Sequence, residues 1–451
     1  MKRKHIFTVL LFLITLCTPL SLLSQDFEMN GTVLVRYNGN AAKITIPNRV
    51  TSISDWAFIG CSSLTSITIP PSVTTIGDGA FSWCSSLTSI IVDTKNSAYS
   101  SVDGILFNKN RTVIFAYPAG KQEKTYTIPT SVTSIGDSAF SGCSNLTSIT
   151  IPPSVTSIGD VAFSGCSSLT SITIPPSVTS IGEWAFSWCS NLTSITIPPS
   201  VTSIGDKAFS ERSSLTSITV DIQNGGYSSV DGILFNKNRT VIIAYPAGKQ
   251  GRTYTIPTSV TTIGDSAFSG CSSLTSITIP SSVTSIRNGA FSGCSSLTSI
   301  TIPASVTDIF GSLFPDCKSL TSITVDPQNS KLSSAEGVLF TKDRTLLIAY
   351  PAGKKESHYN IPVGVRVIWY DAFYGCNSLV SITISTSVTS IGNGAFSGCS
   401  SLISVTIPSS VDSIEYGAFS ECTSLGTVVV SRRTIIEPGA FPSTARITYS
   451  D

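Results

Sequence analysis

The chain has 451 residues, a formal net charge of +1 and only 12% charged residues. With 41% hydrophobic residues it is long and apolar enough to bury a large core. Because the charge is balanced, the composition gives no reason to expect nucleic acid as a partner.

Residues 1–25 have the pattern of a secretory signal peptide. Three basic residues precede an apolar run from Ile6 to Leu16, and small residues follow near Ser24. The alternative, a transmembrane anchor, is disfavoured because this run is too short to cross a bilayer, and no later segment is long and apolar enough. We therefore expect a secreted or cell-surface protein with no transmembrane span after cleavage.

From residue 51 onward the chain repeats one short sequence. A phenylalanine recurs every 23 residues within blocks and after 59 residues between blocks. It stands at Phe58, Phe81, Phe140, Phe163, Phe186, Phe209, Phe268, Phe291, Phe314, Phe373, Phe396 and Phe419. A fixed period of about 20–50 residues predicts a solenoid or a repeat array.

One repeat, Leu169–Asn191, shows the elements expected in each coil. Its opening Leu-x-x-Ile-x-Ile alternates as a strand does, and Pro175 ends that strand because proline cannot donate to a ladder. A second short extended piece follows, Gly182 allows a turn, and Glu183 is expected to cap one helical turn carrying Phe186. A unit this small cannot fold alone, so the coils must stack into a β-rich solenoid with short strands, turns and little helix.

The 23-residue form LTSITIPPSVTSIGDxAFxxCSS resembles the BspA-like, Treponema-type leucine-rich repeat family. The resemblance covers nearly all of the chain after residue 25. It implies a curved leucine-rich repeat solenoid that is secreted or surface-exposed. Members of that family with an assigned role are mostly adhesins, which bind host or neighbouring-cell surfaces.

Three longer segments separate the blocks of repeats. In the first, the stretches from Gly104 and from Thr112 are expected to form a hairpin with its turn at Asn108. The predicted domains are a signal peptide (1–25), an N-terminal cap (26–50), the solenoid (51–427) with inserts at 93–124, 221–252 and 326–357, and a C-terminal cap (428–451).

The three inserts hold 14 of the 28 lysines and arginines. They are candidate contacts for anionic or sugar ligands, with tyrosines alongside. The alternative is that the tyrosines pack the hairpin and the charges solvate it. The candidate contacts are Lys109, Arg111, Tyr117, Lys237, Arg239, Tyr245, Lys342, Arg344 and Tyr350.

Outward positions of the longer predicted strands are occupied by serine and threonine, which would form a neutral hydroxyl ladder on the concave sheet. These residues are either soluble strand fillers or a multivalent binding face. The candidate binding residues are Ser148, Thr150, Ser171, Thr173, Ser194, Thr196, Ser217, Thr219, Ser276, Thr278, Ser299 and Thr301.

Residues able to do chemistry are scarce. The chain has two histidines, His5 in the signal peptide and His358, so its many serines are expected to lack a partner base. We predict no catalytic residues and no cofactor. A polysaccharide hydrolase would need paired carboxylates facing a cleft, and the outward strand positions offer essentially none.

Cysteines and acids also recur at fixed positions. Eleven cysteines follow residue 25 at one repeat position without any Cys-x-x-Cys pair, which favours buried reduced thiols over zinc or disulfides. The acids Asp78, Asp137, Asp160, Glu183, Asp206 and Asp265 favour turn capping, with a row of calcium sites as the alternative. We predict no metal.

The sequence therefore predicts a non-catalytic, adhesin-like binding protein whose partner is an extracellular protein or glycan. The ladder and the basic inserts are its candidate surfaces. Alternatives are a structural spacer of a surface layer, an ice- or crystal-surface binder, or a polysaccharide hydrolase.

Overall fold

A computed structural model describes residues 26–211 and 214–450, so the predicted signal peptide lies outside the described residues. The contacts within the chain define two compact units. One comprises the chain up to Leu192 together with Ser200–Ala208. The other comprises Thr193–Pro199 and the chain from Phe209 onward.

Every element bounded in the described residues is a β-strand. The first block contains β1 (Phe27–Asn30), β2 (Val33–Tyr37), β3 (Lys43–Thr45), β4 (Ser52–Ile53), β5 (Ser66–Ile69), β6 (Thr75–Ile76) and β7 (Ser89–Val92), and the first insert contains β8 (Tyr99–Val102), β9 (Ile105–Asn108) and β10 (Val113–Ala116). The second block contains β11 (Thr125–Thr127), β12 (Ser134–Ile135), β13 (Ser148–Thr150), β14 (Ser157–Ile158), β15 (Ser171–Ile172), β16 (Ser180–Ile181), β17 (Ser194–Ile197), β18 (Ser203–Ile204) and β19 (Ser217–Val220).

The second half repeats this order. The second insert contains β20 (Tyr227–Val230), β21 (Ile233–Asn236) and β22 (Val241–Ala244), and the third block contains β23 (Thr253–Thr255), β24 (Thr262–Ile263), β25 (Ser276–Thr278), β26 (Ser285–Ile286), β27 (Ser299–Ile302), β28 (Asp308–Ile309) and β29 (Ser322–Val325). The third insert contains β30 (Leu332–Ala335), β31 (Val338–Thr341) and β32 (Leu346–Ala349), and the last block contains β33 (His358–Asn360), β34 (Val367–Ile368), β35 (Ser381–Thr383), β36 (Ser390–Ile391), β37 (Ser404–Thr406), β38 (Ser413–Ile414), β39 (Thr427–Ser431), β40 (Ile435–Ile436) and β41 (Arg446–Ser450).

Each regular coil supplies strands to two different parallel sheets. In the first unit, β13 pairs with β15 so that Ser148 lies opposite Ser171, and β12 pairs with β14 so that Ser134 lies opposite Ser157. Hydrogen bonds between coils join residues 23 positions apart. The predicted β-solenoid is therefore confirmed, with strand pairing between coils replacing the hydrogen bonds that one short coil cannot make alone.

The core of each unit is a column of phenylalanine rings. Phe163 has no exposed surface, and its ring centroid lies 5.2 Å from that of Phe140 and 5.3 Å from that of Phe186. In the second unit, Phe291 lies 5.6 Å from Phe268 in the same stacked arrangement. Around each column pack the inward leucine, isoleucine and valine side chains that the strand alternation predicts.

Tyrosine continues the phenylalanine column where an insert interrupts it. Tyr117 stacks on Phe140 with centroids 5.4 Å apart, and it stands 23 residues before Phe140 in the sequence. Tyr245 and Tyr350 make the same contact with the first phenylalanine of the following block. The end of each insert therefore has the same 23-residue spacing as a regular coil. As a result, the aromatic column continues without a gap into the following repeats of that unit.

The turn that carries the phenylalanine is not helical, contrary to the sequence-based expectation. Val161 and Trp184 have φ values of 57° and 55°, and Gly165 has a φ of 74°. Isolated left-handed residues cannot continue a right-handed helix. Instead, the Phe163 amide donates to the Ala185 carbonyl of the next coil at 2.7 Å, so this turn also forms a ladder between coils.

The inserts begin with three antiparallel strands rather than the two predicted. In the first, β8 pairs with β9, which pairs with β10, and β10 then runs parallel to β12. At the N-terminal end, β1 and β2 form an antiparallel hairpin. β2 also pairs in parallel with β4, which is the first of the short two-residue strands in that sheet. At the C-terminal end, β41 pairs in parallel with β39 over five residues and continues the coil pattern.

The described cysteines are free, and all but Cys61 are buried. Their thiols donate to the backbone carbonyl of the aromatic residue 26 positions earlier, as Cys166 does to Phe140 at 3.2 Å. The same carbonyl also accepts the Cys143 amide hydrogen at 3.1 Å, so the thiol adds a second hydrogen bond to it. Burial raises the pKa of the Cys143 and Cys166 thiols well above the ordinary range. The predicted burial is therefore confirmed for every described cysteine except Cys61, and the buried thiols have a hydrogen-bonding role as well as a packing role.

Cys61 is expected to be more reactive than the buried thiols. Its hydrogen bond with Cys84 and the nearby Arg36 guanidinium hold the pKa of Cys61 below its usual value, and its side chain is half-buried. At neutral pH, iodoacetamide should alkylate Cys61 at least about a hundredfold faster than Cys143 or Cys166, because only the thiolate reacts. Peptide mapping by mass spectrometry measures this ratio. Equal labelling in the native protein would contradict it, and unfolding in guanidinium should make the three rates similar.

Candidate functional site

The predicted hydroxyl ladder lies on the longer strands. In β13 and β17 the isoleucines point inward and are buried, while Thr150, Ser194 and Thr196 are exposed. Parallel pairing of β17 with β19 places Ser194 opposite Ser217 and Thr196 opposite Thr219. Of the twelve candidate residues, Ser148 and Ser217 are half-buried and the other ten are exposed.

The ladder hydroxyls differ from the other serine and threonine hydroxyls of the coil. One residue before the ladder, Thr147 and Thr170 donate their hydroxyl hydrogens to carbonyls of the preceding coil, at 3.0 and 3.3 Å. Ser154 does the same in the following turn. Among the described residues, none of the twelve ladder hydroxyls has a hydrogen-bond partner within the chain. The ladder hydroxyls therefore take no part in holding the coils together, which the backbone of these strands does, and they are available to an external ligand.

The inserts limit the extent of each ladder segment. In the second unit, the Ile218 amide donates to the Gly232 carbonyl at 2.8 Å, which brings the insert over the outer edge of β19. A Cβ atom at Gly232 would lie 2.7 Å from the Ser217 hydroxyl oxygen, so only glycine allows this approach. The half-burial of Ser217 results from this contact. Ser217 is thus less accessible than the rest of the ladder, which the sequence pattern did not indicate.

The six candidate lysines and arginines of the inserts are exposed but have different local roles. The ammonium groups of Lys109 and Lys237 bond to the backbone carbonyls of Asn96 and Asn224, and that of Lys342 bonds to the Pro327 carbonyl at 3.1 Å. These lysines therefore fix the loops that open each insert. The side chains of Arg111, Arg239 and Arg344 are exposed, and they remain the better candidates for external contacts.

The three candidate tyrosines are not surface residues, and this corrects their assignment as ligand contacts. Tyr117, Tyr245 and Tyr350 are 4–5% exposed because each fills the phenylalanine position of its coil. Burial raises the pKa of Tyr245 to about 12. The alternative, in which the tyrosines pack the hairpin, is right about their burial, but they pack in the phenylalanine column rather than in the hairpin. The signal was present in their spacing of 23 residues from the next phenylalanine.

A pocket of about 260 Å³ lies beside the first insert. Its lining residues include Phe107 from β9, together with Tyr126, Arg111 and Asp103. Burial, and then the Asp103 charge, raise the pKa of Tyr126 to about 12, so this phenol keeps its proton at neutral pH. An apolar wall beside one guanidinium suits a small ligand that has both an apolar face and a negative group.

A groove of about 650 Å³ follows the short-strand sheet of the first unit and is lined by the stacked acids. Asp137 Oδ1 accepts the Asp160 amide hydrogen at 2.7 Å, and Asp160 Oδ1 accepts that of Glu183 at 2.7 Å. Each carboxylate therefore caps the next coil rather than its own turn. Burial and the neighbouring carboxylates of Asp78 and Asp160 raise the pKa of Asp137.

His358 does have a serine partner, contrary to the sequence-based expectation. Its Nδ1 lies 2.8 Å from the Ser381 hydroxyl on the paired strand, and its Nε2 lies 2.8 Å from Asn360 Oδ1. The three side chains meet because β33 pairs in parallel with β35, which places His358 opposite Ser381. The order nucleophile, histidine, amide is that of papain-like proteases, in which the nucleophile is a cysteine. The Ser381 amide donates to the Ser357 carbonyl, so it does not point toward a bound oxyanion.

No helix in the part of the chain that the structure describes is long and apolar enough to cross a membrane. No group of three or more histidine, cysteine or acidic side chains is arranged to hold a metal ion within the same residues. The described chain thus contains a repeated hydroxyl surface, an insert pocket and an acidic groove. Of these, the hydroxyl surface and the row of acids along the groove follow from the repeat pattern, whereas the pocket depends on the folded position of the first insert.

Comparison with known proteins identifies the family. The model of the BspA type leucine-rich repeat region matches residues 36–117, 114–238, 248–343 and 352–450. No curated protein sequence matches the chain. Similar solved structures include a leucine-rich repeat protein from Eubacterium ventriosum (24% identity, 93% of this chain and 90% of that chain, TM-score 0.41), a leucine-rich cell surface protein from Faecalibacterium prausnitzii (26%, 94% and 93%, 0.38) and the pneumococcal vaccine antigen PcpA (22%, 93% and 89%, 0.38). Because the family model matches most of its length, the chain belongs to the BspA-type leucine-rich repeat family.

Proposed function

We propose that this chain is a secreted or cell-surface binding protein, adhesin-like and non-catalytic, whose ligand is an extracellular protein or glycan. The observation that carries the proposal is the contrast between the two kinds of hydroxyl. The hydroxyls of Thr147 and Thr170 bond to neighbouring coils, whereas the hydroxyls of the exposed ladder residues make no hydrogen bond within the described chain. A surface of free, regularly spaced donors and acceptors suits weak contacts that are repeated and summed.

The insert pocket supplies the element of specificity in this proposal. Ladder residues are nearly identical from coil to coil, so by themselves they distinguish ligands poorly. Arg111 and Tyr126 give the first insert a charged and an aromatic group beside an apolar wall. Arg239 and Arg344 occupy the matching positions of the other inserts. A ligand bearing a carboxylate or sulfate group on a sugar fits this combination.

A hydrolase is the second candidate, and the arrangement of Ser381, His358 and Asn360 favours it. All three lie on the open ladder face, where His358 and Asn360 are exposed to water. Hydrolysis also needs donors placed for an oxyanion, and the Ser381 amide is used in pairing with Ser357. We therefore place the binding function first. Ester hydrolysis that is lost in Ser381→Ala would reverse that order.

The test is binding of residues 26–451 to arrays of extracellular-matrix proteins and glycans at two salt concentrations. The double variant Thr150→Lys, Thr173→Lys should weaken a ladder-bound ligand at least about tenfold, because two long cations replace two neutral contacts. The control, Thr130→Lys with Thr258→Lys, makes the same charge change at exposed turn positions. It should leave affinity within about twofold.

The outcomes separate the two surfaces. Binding that is insensitive to salt and lost only in the ladder variant supports the ladder, because neutral contacts are not screened. Salt-sensitive binding lost in Arg111→Ala with Arg239→Ala assigns recognition to the inserts. Absence of binding to every ligand on the arrays would contradict the proposal for those ligands and favour a structural spacer.

A further inference from the structure

A small cavity lies in the first unit, where the first insert joins the second block. Its volume is about 30 Å³, which is room for one or two particles the size of a water molecule. Its wall is built from the turn that includes Asp78 and Ser82, from the end of β10, and from the next turn with Asp137, Ser138 and Ser141. The insert creates this space because it replaces the regular neighbour of the Phe81 coil.

Three serine hydroxyls in this cavity have no hydrogen-bond partner within the described chain. Ser82 and Ser141 are each 3% exposed and Ser138 is 7% exposed, and the hydroxyl oxygens of all three are fully buried. A buried hydroxyl without a partner destabilises a fold, so native proteins rarely retain one. Ser187, at the same repeat position as Ser82 and Ser141, also lacks a partner without lining this cavity. Three such hydroxyls around one cavity, however, suit a polar occupant that bonds to all of them.

The corresponding position beside the second insert shows how such a hydroxyl is otherwise satisfied. Ser269 follows Phe268 just as Ser141 follows Phe140, and its hydroxyl donates to Glu211 Oε1 at 2.8 Å. Glu211 stands two residues after its phenylalanine, where the first junction has Trp83. The Trp83 ring is instead partly exposed and packs against Trp188, so it offers Ser141 no acceptor.

The charge of the lining selects the occupant. Two carboxylates, Asp78 and Asp137, line the cavity, and the described lining residues include no lysine, arginine or histidine. One oxygen of Asp137 accepts the Asp160 amide hydrogen, which leaves its second oxygen for another partner. Asp137 is half-buried and Asp78 is exposed, and the Asp78 charge adds to the cost of ionising Asp137. Two neighbouring carboxylates disfavour an anion between them, whereas a cation relieves their repulsion.

We propose that this cavity binds one calcium ion through the carboxylates of Asp78 and Asp137 and the hydroxyls of Ser82, Ser138 and Ser141. The donor set consists only of oxygen, which suits a hard cation, and no cysteine or histidine lines the cavity to favour zinc or copper. Calcium accepts irregular sets of six to eight oxygens, whereas magnesium requires near-octahedral geometry and retains its waters. The ion would join the first insert to the coils on either side of it.

The experiment is calorimetric titration of residues 26–451 with calcium chloride after EDTA treatment, at constant ionic strength. We expect one site with a dissociation constant of roughly 10⁻⁴–10⁻³ M, as in extracellular calcium modules, and a rise in melting temperature with calcium. Asp137→Asn should lower the affinity at least about tenfold. The amide oxygen of the new side chain still accepts the Asp160 amide hydrogen, so the fold should be retained.

The matched control is Asp160→Asn, one coil further along. Asp160 caps Glu183 just as Asp137 caps Asp160, but it does not line the cavity. The control should keep calcium affinity within about twofold. Ser141→Ala removes a ligand without changing the charge, so it should weaken calcium binding yet be no less stable than the wild type in EDTA.

Three results would overturn the proposal. Lack of calcium binding up to about 10 mM, well above the expected range, would mean that ordered water satisfies the hydroxyls. An equal loss in Asp160→Asn would mean that the acidic groove attracts cations diffusely. An equal response to magnesium or sodium would remove the assignment to calcium.

Discussion

Phe163→Ala should lower the free energy of unfolding of its unit by about 3–5 kcal/mol. The Phe163 side chain has no exposed surface and lies between the rings of Phe140 and Phe186, with centroids 5.2 and 5.3 Å away. Truncation removes two ring-stacking contacts and leaves a cavity that backbone ladders on both sides prevent from collapsing. Urea denaturation followed by near-UV circular dichroism measures the loss.

The control is Phe441→Ala at the end of the column. Phe441 stacks on Phe419 alone, at 5.0 Å, and is only partly buried. Its truncation should therefore cost clearly less than that of Phe163. A decrease in unfolding free energy below about 1 kcal/mol for Phe163→Ala would contradict the view that ring stacking in the aromatic column stabilises the core.

The core of this protein is largely predictable from its sequence because one pattern is repeated many times. The alternation in Leu-x-x-Ile-x-Ile identifies inward residues such as Ile149 and Ile172, and both are buried. The turn was harder to predict, since the sequence around Ala185 suits one helical turn. The left-handed backbone at Val161 and Trp184 is imposed by hydrogen bonds to the next coil, which a single repeat does not contain.

The candidate surfaces were predicted less well because the inserts depend on tertiary contacts. The exposed ladder at Thr150 and Thr173 follows from strand alternation alone. The burial of Tyr117, the covering of Ser217 and the bond from Lys109 to Asn96 require knowing where the insert folds back. The 23-residue spacing of Tyr117 from Phe140 was the one sequence signal for this arrangement.

Burial of a side-chain amide at the start of each insert could not be foreseen from composition. Asn96 has no exposed surface, and its amide nitrogen donates to the carbonyls of Pro70 and Val73 at 2.8 Å each. Its Oδ1 accepts the amide hydrogens of Ala98 and Tyr99. Asn224 and Asn329 hold the same position in the other inserts and are equally buried. An asparagine in a polar loop is usually interpreted as a turn residue, yet here it fastens the insert to the turn at Pro70 and Val73 of the coil before it.

Asn96→Asp should therefore be strongly destabilising at neutral pH. The new carboxylate can still accept the two amide hydrogens. It has no hydrogen to donate, however, and places a negative charge against the carbonyl oxygens of Pro70 and Val73. At about 1–3 kcal/mol for each buried group left unpaired, the expected loss is about 2–6 kcal/mol. Asn110→Asp makes the same change at an exposed position of the same insert and should cost under about 0.5 kcal/mol.

The loss from Asn96→Asp should also depend on pH. Burial and the facing carbonyls raise the pKa of the new carboxyl in the folded state above its unfolded value, so folding favours its protonated form. The protonated carboxyl restores one donor. The difference in unfolding free energy between variant and wild type should therefore be smallest below the unfolded pKa and grow as the pH rises through the folded pKa. Urea titrations of both proteins between pH 4 and pH 8, near and above the unfolded pKa of about 3.9, measure this difference. A loss that stays constant over that range would show that the carboxyl escapes to solvent, and that the insert is not fastened through Asn96.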